Sequence, residues 1–506
     1  MSTQQRRSVG QEPVMSVLPD GDIPYDPTHT FDADEEALAA LGYKSEFKRE
    51  FSLFTTFCVS FAILGLLPSF ASTLYYGMGY AGTAGMTWGW PLAMIGIQCI
   101  AMGMAELCSS MPTSGGLYYA SAVLAPGKWG PFASWLTGWS NWLCQITGAP
   151  SGNQLRSFGY DTCRRQYQRS VERGLPRFTP SSEVWGTIYE GTAFPPGISV
   201  LMSFIGVIWT MSGYDAAFHL AEECSNANIA SPRAIVMTAA TGGLFGWFLQ
   251  LVVAYTVVDV GAVLQSDLGQ PFAAYLMQCM SKKLTLAILA MTVMAAFSMG
   301  QGCMIAASRV TFAYARDDCF PLSKYWKRVN KHTQTPVNAV WFNCAIGICC
   351  LLLIFGGQLA IGALFSIGAI AAFVAFSIPI FIRVAFVGKN FRPGPWHLGK
   401  WSTLIGTIGC SFVLLMIPIL CFPSTTGAEL TAKGMNWTCV VYGGPMLFVT
   451  IWWFVSAHKW FKGPKVNIEH MMLGQHVVIS GQAVSVHSKD ESGSEGEAVI
   501  DKGIKS

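Results

Sequence analysis

Charge is what this sequence has least of. Only 12% of its 506 residues are Asp, Glu, Lys or Arg, about half the share of an ordinary soluble domain. That shortage excludes a chain whose surface meets water on every side. Cys-x-x-Cys pairs and zinc-type Cys/His spacings are also missing, although there are 15 cysteines. Most of these, including Cys58, Cys99, Cys303, Cys349 and Cys350, stand in apolar runs and read as small buried hydrophobes. No phosphate-cradling glycine loop is present, which leaves ATP-driven pumping without support. No nucleophile–base or metal constellation suggests an enzyme or a cofactor, and the net charge of +3 comes without a basic patch suited to nucleic acid. The first 50 residues are polar, with Arg6, Arg7 and an acidic cluster from Asp32 to Glu36. No apolar stretch follows that basic start, so no cleaved signal peptide is expected and the first span itself should direct insertion.

What the sequence has in abundance is long apolar blocks. Each is close to the 20 or so residues that carry a helix across about 30 Å of hydrocarbon. Ten spans are expected: Ser52–Tyr75, Trp88–Leu107, Gly130–Pro150, Gly197–Phe218, Ile235–Val258, Leu284–Thr311, Pro336–Phe355, Leu359–Phe386, Trp401–Phe422 and Cys439–Trp460. The reading is an all-α integral membrane protein with a permease domain over residues 51–465. Residues 1–50 form a cytoplasmic tail, and 466–506 a disordered one of mixed Ser, Gly, Glu and Lys.

The basic residues set the orientation. With the N-terminus inside, Lys44, Lys48 and Arg49 flank the first span on the cytoplasmic side. Arg316, Lys324, Lys327, Arg328 and Lys331 then fall inside, as do Arg383, Lys389, Arg392 and Lys400. The outer loops after Val258 and Phe422 hold only Lys282, Lys283 and Lys433. Residues 151–180 run against this rule, with Arg156, Arg164, Arg165, Arg169, Arg173 and Arg177 on the expected outer side. They are no buried span either, since one Arg at the bilayer centre costs at least ~2.5 kcal/mol. Asn436-Trp437-Thr438 is an outer sequon, so Asn436 is a candidate glycosylation site.

A transporter must present polar groups at mid-membrane without baring unpaired backbone to lipid. A helix broken part-way does this, its free amides suiting a carboxylate and its free carbonyls an ammonium. Two spans carry the signs of such a break. The first has Phe61-Ala62-Ile63-Leu64-Gly65 followed by Pro68; the fourth has Trp209-Thr210-Met211-Ser212-Gly213-Tyr214-Asp215. Gly65 or Gly213 alone would equally suit close helix packing, but the Trp, Ser-Gly and Asp cluster favours a functional break. Intramembrane carboxylates point the same way by their cost. Asp215 lies inside the fourth span and Glu106 at the inner end of the second. Glu222 and Glu223 follow the fourth span as solvated cap or gate residues, and Asp259 reads as a helix-end residue.

At these residues the chain resembles the amino acid–polyamine–organocation superfamily, and within it the fungal branch of GABA and choline permeases. The resemblance rests on LGYKSEFKREFS, FAILGLLPSFAS, MAELCSSMPTSGGLYYASAVLAP, SFIGVIWTMSGYDAAFHLAEECSNANIASPRAI and ASRVTFAYARDDCFP. It covers roughly Asp32–Pro150 and Ser181–Pro464. It implies a LeuT-like inverted-repeat permease fold, with two five-helix repeats and two further helices, and a multi-pass protein of the plasma or vacuolar membrane. By the same carry-over, Ala62, Ile63, Leu64 and Gly65 would hold a substrate carboxylate through backbone. Thr210, Ser212, Gly213 and Tyr214 would hold its amine, and Trp209 would act as an aromatic lid. Protons would drive uptake, with Asp215 and Glu106 as coupling candidates. The chain departs from the family in one place: of twelve expected helices the fourth and fifth are missing between Pro150 and Ser181, where the Arg-rich stretch stands as a mis-spliced exon would leave it. The implied function is secondary transport of amino acids or related amines. The alternative is a non-transporting membrane protein, a nutrient sensor or an inactive truncated permease.

Overall fold

The computed structural model describes residues 46–152, 178–189, 191–266, 268–352, 358–427, 430–431, 435–464, 477–479 and 482–484, together with Asp34, Leu38, Leu41 and Tyr43; for 149–152 and 358–363 it describes backbone alone. Most of the Arg-rich stretch therefore lies outside the described residues. Among the described residues the regular structure is helical apart from two three-residue strands in the C-terminal tail, Val477–Ile479 and Gln482–Val484, which pair antiparallel, and an isolated bridge between Phe51 and Cys224.

In chain order the main helices are α1 (Leu53–Leu64), α2 (Leu66–Ser110), α3 (Gly116–Leu124), α4 (Gly130–Gly152), α5 (Pro196–Thr210) and α6 (Ala216–His219). They continue with α7 (Ala227–Thr256), α8 (Lys282–Arg316), α9 (Val337–Leu352), α10 (Gln358–Ile382), α11 (Ser402–Ile419) and α12 (Thr438–Trp452). Each of the ten expected stretches holds helix. Among the described residues, six helical runs are long and apolar enough to cross a membrane. The longest, Leu53–Ser110, has 58 residues; at ~1.5 Å per residue it would measure about 87 Å, enough for two crossings. It does turn back. At Gly82 the backbone leaves the helix (φ 63°, ψ −158°). A Cβ on Gly77 would then sit 3.8 Å from Met86 Cγ, where a straight helix would hold these residues about 13 Å apart.

Around this hairpin the core is built by close approach. Trp90 is buried on α2 and donates its indole N–H to Gly243 O of α7 at 2.8 Å. Gly246, one turn on, leaves the space that the Trp90 ring fills. A second cluster joins α4 to α12, where Trp135 donates to Val449 O at 3.1 Å and packs against Trp453. At the expected outer end, Trp185 lies against Trp88, and Val184 O accepts from the Thr87 hydroxyl at 3.3 Å.

Candidate substrate site between two broken helices

The first break lies between α1 and α2. Ser52 and Thr55 form a capping box at the start of α1. The helix ends at Gly65, whose left-handed backbone (φ 53°, ψ 55°) serves as C-cap of α1 and N-cap of α2. The first four N–H groups of a helix have no partner within it. At the start of α2, Pro68 has none to give and the Ser69 N–H returns to Gly65 O at 2.9 Å. The amides of Leu66 and Leu67 remain, at the positive end of the helix dipole. On the other side, Gly65 N–H goes to Phe61 O and Ser69 Oγ donates to Leu64 O at 3.0 Å. The carbonyls of Ala62 and Ile63 are the acceptors left over at the end of α1.

The second break follows Thr210, where residues 211–215 form turns before the single helical turn α6. Gly213 there has φ 111°, a conformation that side chains oppose. The two breaks touch. Ser60 Oγ on α1 donates toward Gly213 O and Tyr214 O, 3.4 Å from each.

The structure places the expected side chains around this contact in different ways. Trp209 is buried, edge-on to Phe365 at 4.8 Å, and its ring fills the space beside Gly368 of α10. Thr210 Oγ1 donates to Gly206 O at 2.6 Å and lies 3.3 Å from Thr73 Oγ1, while Ser212 Oγ donates to Ile208 O at 2.8 Å. Both hydroxyls are thus occupied within the fold, and the open groups at the breaks are backbone. Tyr214 is buried with its ring against Phe376.

Asp215 is 2% exposed and accepts from Gln145 Nε2 of α4 at 2.7 Å. Its other partner is His219, one turn on, with Nε2 3.4 Å from Asp215 Oδ2. Neither Gln145 nor His219 figures among the residues that the sequence suggests. His219 stands four residues after Asp215, the spacing that puts two side chains on one helix face, and that was the available signal.

Glu106 sits apart from both breaks. It accepts from Ser402 Oγ and from Leu398 N at 3.2 Å, and pairs with Arg383 at 3.4 Å, tying the end of α2 to the start of α11. Glu222 and Glu223 are buried rather than solvated, and each faces an arginine of α8: Arg316 at 3.1 Å and Arg309 at 2.7 Å. Asp259 caps a helix, accepting from Ala262 N at 2.9 Å. Asn436 spends its amide nitrogen on Leu420 O and Phe422 O, at 2.9 and 3.0 Å, so a glycan there would forfeit at least one of these bonds.

The N-terminal segment covers the expected inner end of the bundle. Phe51 N donates to Glu223 O at 3.0 Å and Ser225 N to Phe51 O at 2.8 Å. The Arg316 guanidinium lies 3.8 Å above the Tyr43 ring, and the hydroxyls of Tyr43 and Tyr118 both reach Asp317 Oδ2. Burial, helped by the Asp317 charge, pushes both phenols well above their ordinary pKa, so they stay protonated and donate.

Known proteins give this geometry its family. The chain is 55% identical over 495 aligned positions to an uncharacterized amino-acid permease of Schizosaccharomyces pombe, covering 86% of this chain and 91% of the relative. Since 86% of 506 residues is about 435, about 60 of those positions have no residue here. A putative polyamine transporter of Candida albicans is 41% identical over 94% of this chain and 99% of its own length. A GABA-specific permease of Saccharomyces cerevisiae is 29% identical, with 86% of each covered. Among solved structures, a manganese transporter of Eremococcus coleocola covers 80% of this chain and 96% of its own at 12% identity and a TM-score of 0.43, a likeness too slight to argue from. The family described as amino acid permease matches residues 51–160 and 168–445, and its break falls inside the Arg-rich stretch. The chain belongs to the amino acid permease family and is an integral, multi-pass membrane protein that descends from transporters of amino acids or amines.

Proposed function

We propose that the chain is a secondary transporter that carries a GABA-like, choline-like or polyamine-like substrate on the coupled movement of protons. The observation that carries this reading is the contact between the two breaks through Ser60, Gly213 and Tyr214: the first break leaves amides at Leu66 and Leu67 and carbonyls at Ala62 and Ile63, and the second carries the buried carboxylate of Asp215. Such a site offers donors to a carboxylate and acceptors to an ammonium. Ala62–Gly65, Trp209, Thr210, Ser212, Gly213 and Tyr214 would enclose the substrate, with Leu66 and Leu67 added as the anion donors. We place coupling at Asp215 rather than Glu106, because Glu106 is held by Arg383. The relatives named for polyamine and GABA set the probes. The test is uptake of labelled GABA and labelled spermidine into liposomes holding the purified chain, under an inward proton gradient and under an inward sodium gradient. Proton-driven uptake of either probe is expected. Uptake that needs sodium and ignores the proton gradient would refute the coupling.

A second reading, a non-transporting sensor or inactive permease, is favoured by the positions that the Schizosaccharomyces relative has and this chain lacks. It predicts probe binding, or none, with no uptake under either gradient.

A further inference from the structure

Five carboxylates near the two breaks and the inner end are buried; Asp317 accepts from the Tyr43 and Tyr118 hydroxyls, and three others face arginine. Glu106 pairs with Arg383, Glu222 with Arg316 and Glu223 with Arg309. Guanidinium keeps its charge at every working pH and faces each of these carboxylates with a fixed positive partner. Asp215 faces His219 instead, and histidine is the side chain whose charge ordinarily changes between about pH 5 and 8.

The surroundings of the ring favour two states. His219 is fully buried. Its Nδ1 lies 3.4 Å from Ser114 O and its Nε2 3.4 Å from Asp215 Oδ2. Both are acceptors only, yet a neutral imidazole has one N–H to give. A neutral ring that donates from Nδ1 to Ser114 O uses Nε2 to accept from Asn141 Nδ2, 3.2 Å away. Asp215 then relies on Gln145. A protonated ring donates to Ser114 O and to Asp215 Oδ2 together. Other titratable groups stand around the pair: the thiols of Cys144 on α4 and Cys303 on α8, and the Tyr214 hydroxyl, all within electrostatic reach of Asp215. The Tyr314 hydroxyl of α8 stands beside Asn141. No arginine or lysine is paired with Asp215 or His219 among the described residues.

The pair is also wired to the inner end. Ser114, whose carbonyl faces His219, donates its own N–H to Glu222 Oε1 at 2.9 Å, and Glu222 is the partner of Arg316. A change of charge at His219 acts on the same residue that anchors the Glu222–Arg316 pair.

We propose that the Asp215–His219 pair is the proton-coupling site of this chain: the coupled proton resides on the His219 ring, bonded to Asp215, and its arrival is transmitted through Ser114 to the Glu222–Arg316 closure. The proposal rests on the transporter reading and deepens it. The test uses liposomes holding purified wild-type chain, His219→Gln or His219→Asn, with labelled GABA and labelled spermidine as probes. With one proton per substrate, an inward gradient of one pH unit supports up to about tenfold accumulation. Wild type should approach that ratio. His219→Gln should fall to about onefold while exchange of internal for external probe at equal pH stays within about twofold. Accumulation that survives in His219→Gln overturns the proposal. So does loss of exchange in both variants, which marks the ring as structural. Failure of wild type to exchange either probe sinks the transporter reading instead, and the proton site is then judged on the chain itself. Spectra of nitrogen-labelled histidine in detergent-purified protein should show a buried ring that takes up a proton as pH is lowered and is missing from His219→Gln. A His219 ring whose charge stays fixed wherever the protein is folded overturns the proposal whether or not the chain transports.

Discussion

Gly213 and Leu64 bring the two helix breaks into backbone contact: a Cβ placed on Gly213 would stand 3.1 Å from Leu64 N and 3.1 Å from Ile63 Cγ2. That spacing is tighter than ordinary packing tolerates, and the backbone at Gly213 (φ 111°) adds its own strain to any side chain. Gly213→Leu should therefore push the breaks apart and abolish uptake, while the helices on either side still insert. The check is surface abundance alongside uptake of labelled GABA and spermidine. Normal uptake per molecule by Gly213→Leu would remove the binding-site assignment.

Much of this was legible in the sequence, for a physical reason. A break needs a residue that tolerates left-handed backbone, and Gly65 followed by Pro68, or Ser212-Gly213 within an apolar run, announces one locally. The partners of the carboxylates were not legible. Arg309 meets Glu223 from 86 residues away and Arg316 meets Glu222 from 94, so nothing near either glutamate shows that it is buried. Gln145 likewise acquires meaning only when α4 packs against the turn after Gly213. The amides left without a helix partner at the first break, those of Leu66 and Leu67, lie just after the glycine that marks it.

The inner closure gives a graded prediction. Arg309 and Glu223 are nearly buried, with side chains 8% and 12% exposed. Removing one partner of such a pair leaves a buried charge, at a cost of about 3 kcal/mol or more. Glu223→Ala should lower the melting temperature clearly and open the inner end to thiol reagents, and the exchanged pair Glu223→Arg with Arg309→Glu should recover part of the loss. Lys48 and Glu50 pair at 2.6 Å but are 72% and 62% exposed, so Lys48→Ala should change nothing measurable. Equal effects at the two pairs would contradict the burial argument.

The contribution of the two buried phenols at this end should be insensitive to pH until strongly alkaline conditions. Tyr43 and Tyr118 have folded pKa values raised above the ordinary 10.0 by burial. A raised value means the folded state holds the proton longer than the unfolded one. Their contribution is then constant below about pH 10 and is lost as pH rises above it. Melting curves of wild type and Tyr43→Phe should differ by a constant amount from pH 6 to 9. A difference that changes within that range would show that another group controls the seal.

Topology can be tested at two exposed loop positions. Gly269 follows α7 and Lys331 follows α8, on opposite sides if the basic residues set the orientation. A membrane-impermeant thiol reagent added outside should label Gly269→Cys and not Lys331→Cys in intact cells. Labelling at position 331 would invert the assignment.

The last prediction concerns the exposed faces of α1 and α8. The face of α8 that carries Met294 and Phe297, 70% and 56% exposed, also presents Ser298 and Gln301. Phe54 on α1 is 70% exposed as well. Exposed Met and Phe suit lipid, but Gln301 lies near the middle of α8, where an amide without water or protein partners costs on the order of 2 kcal/mol or more. A protein wall is the physical remedy for such a residue. About 60 positions of the Schizosaccharomyces relative have no residue here, close to the length of two spans and a turn, and the family match breaks within the Arg-rich stretch. A chimera carrying two apolar helices between Pro150 and Ser181 should therefore be more abundant at the surface and take up more probe per molecule than this chain. Gln301→Leu should stabilise this chain and leave the chimera unchanged or weaker, because in the chimera the amide regains partners. Equal uptake per molecule by both forms, with Gln301→Leu neutral in each, would show that the bundle is already closed without the two helices.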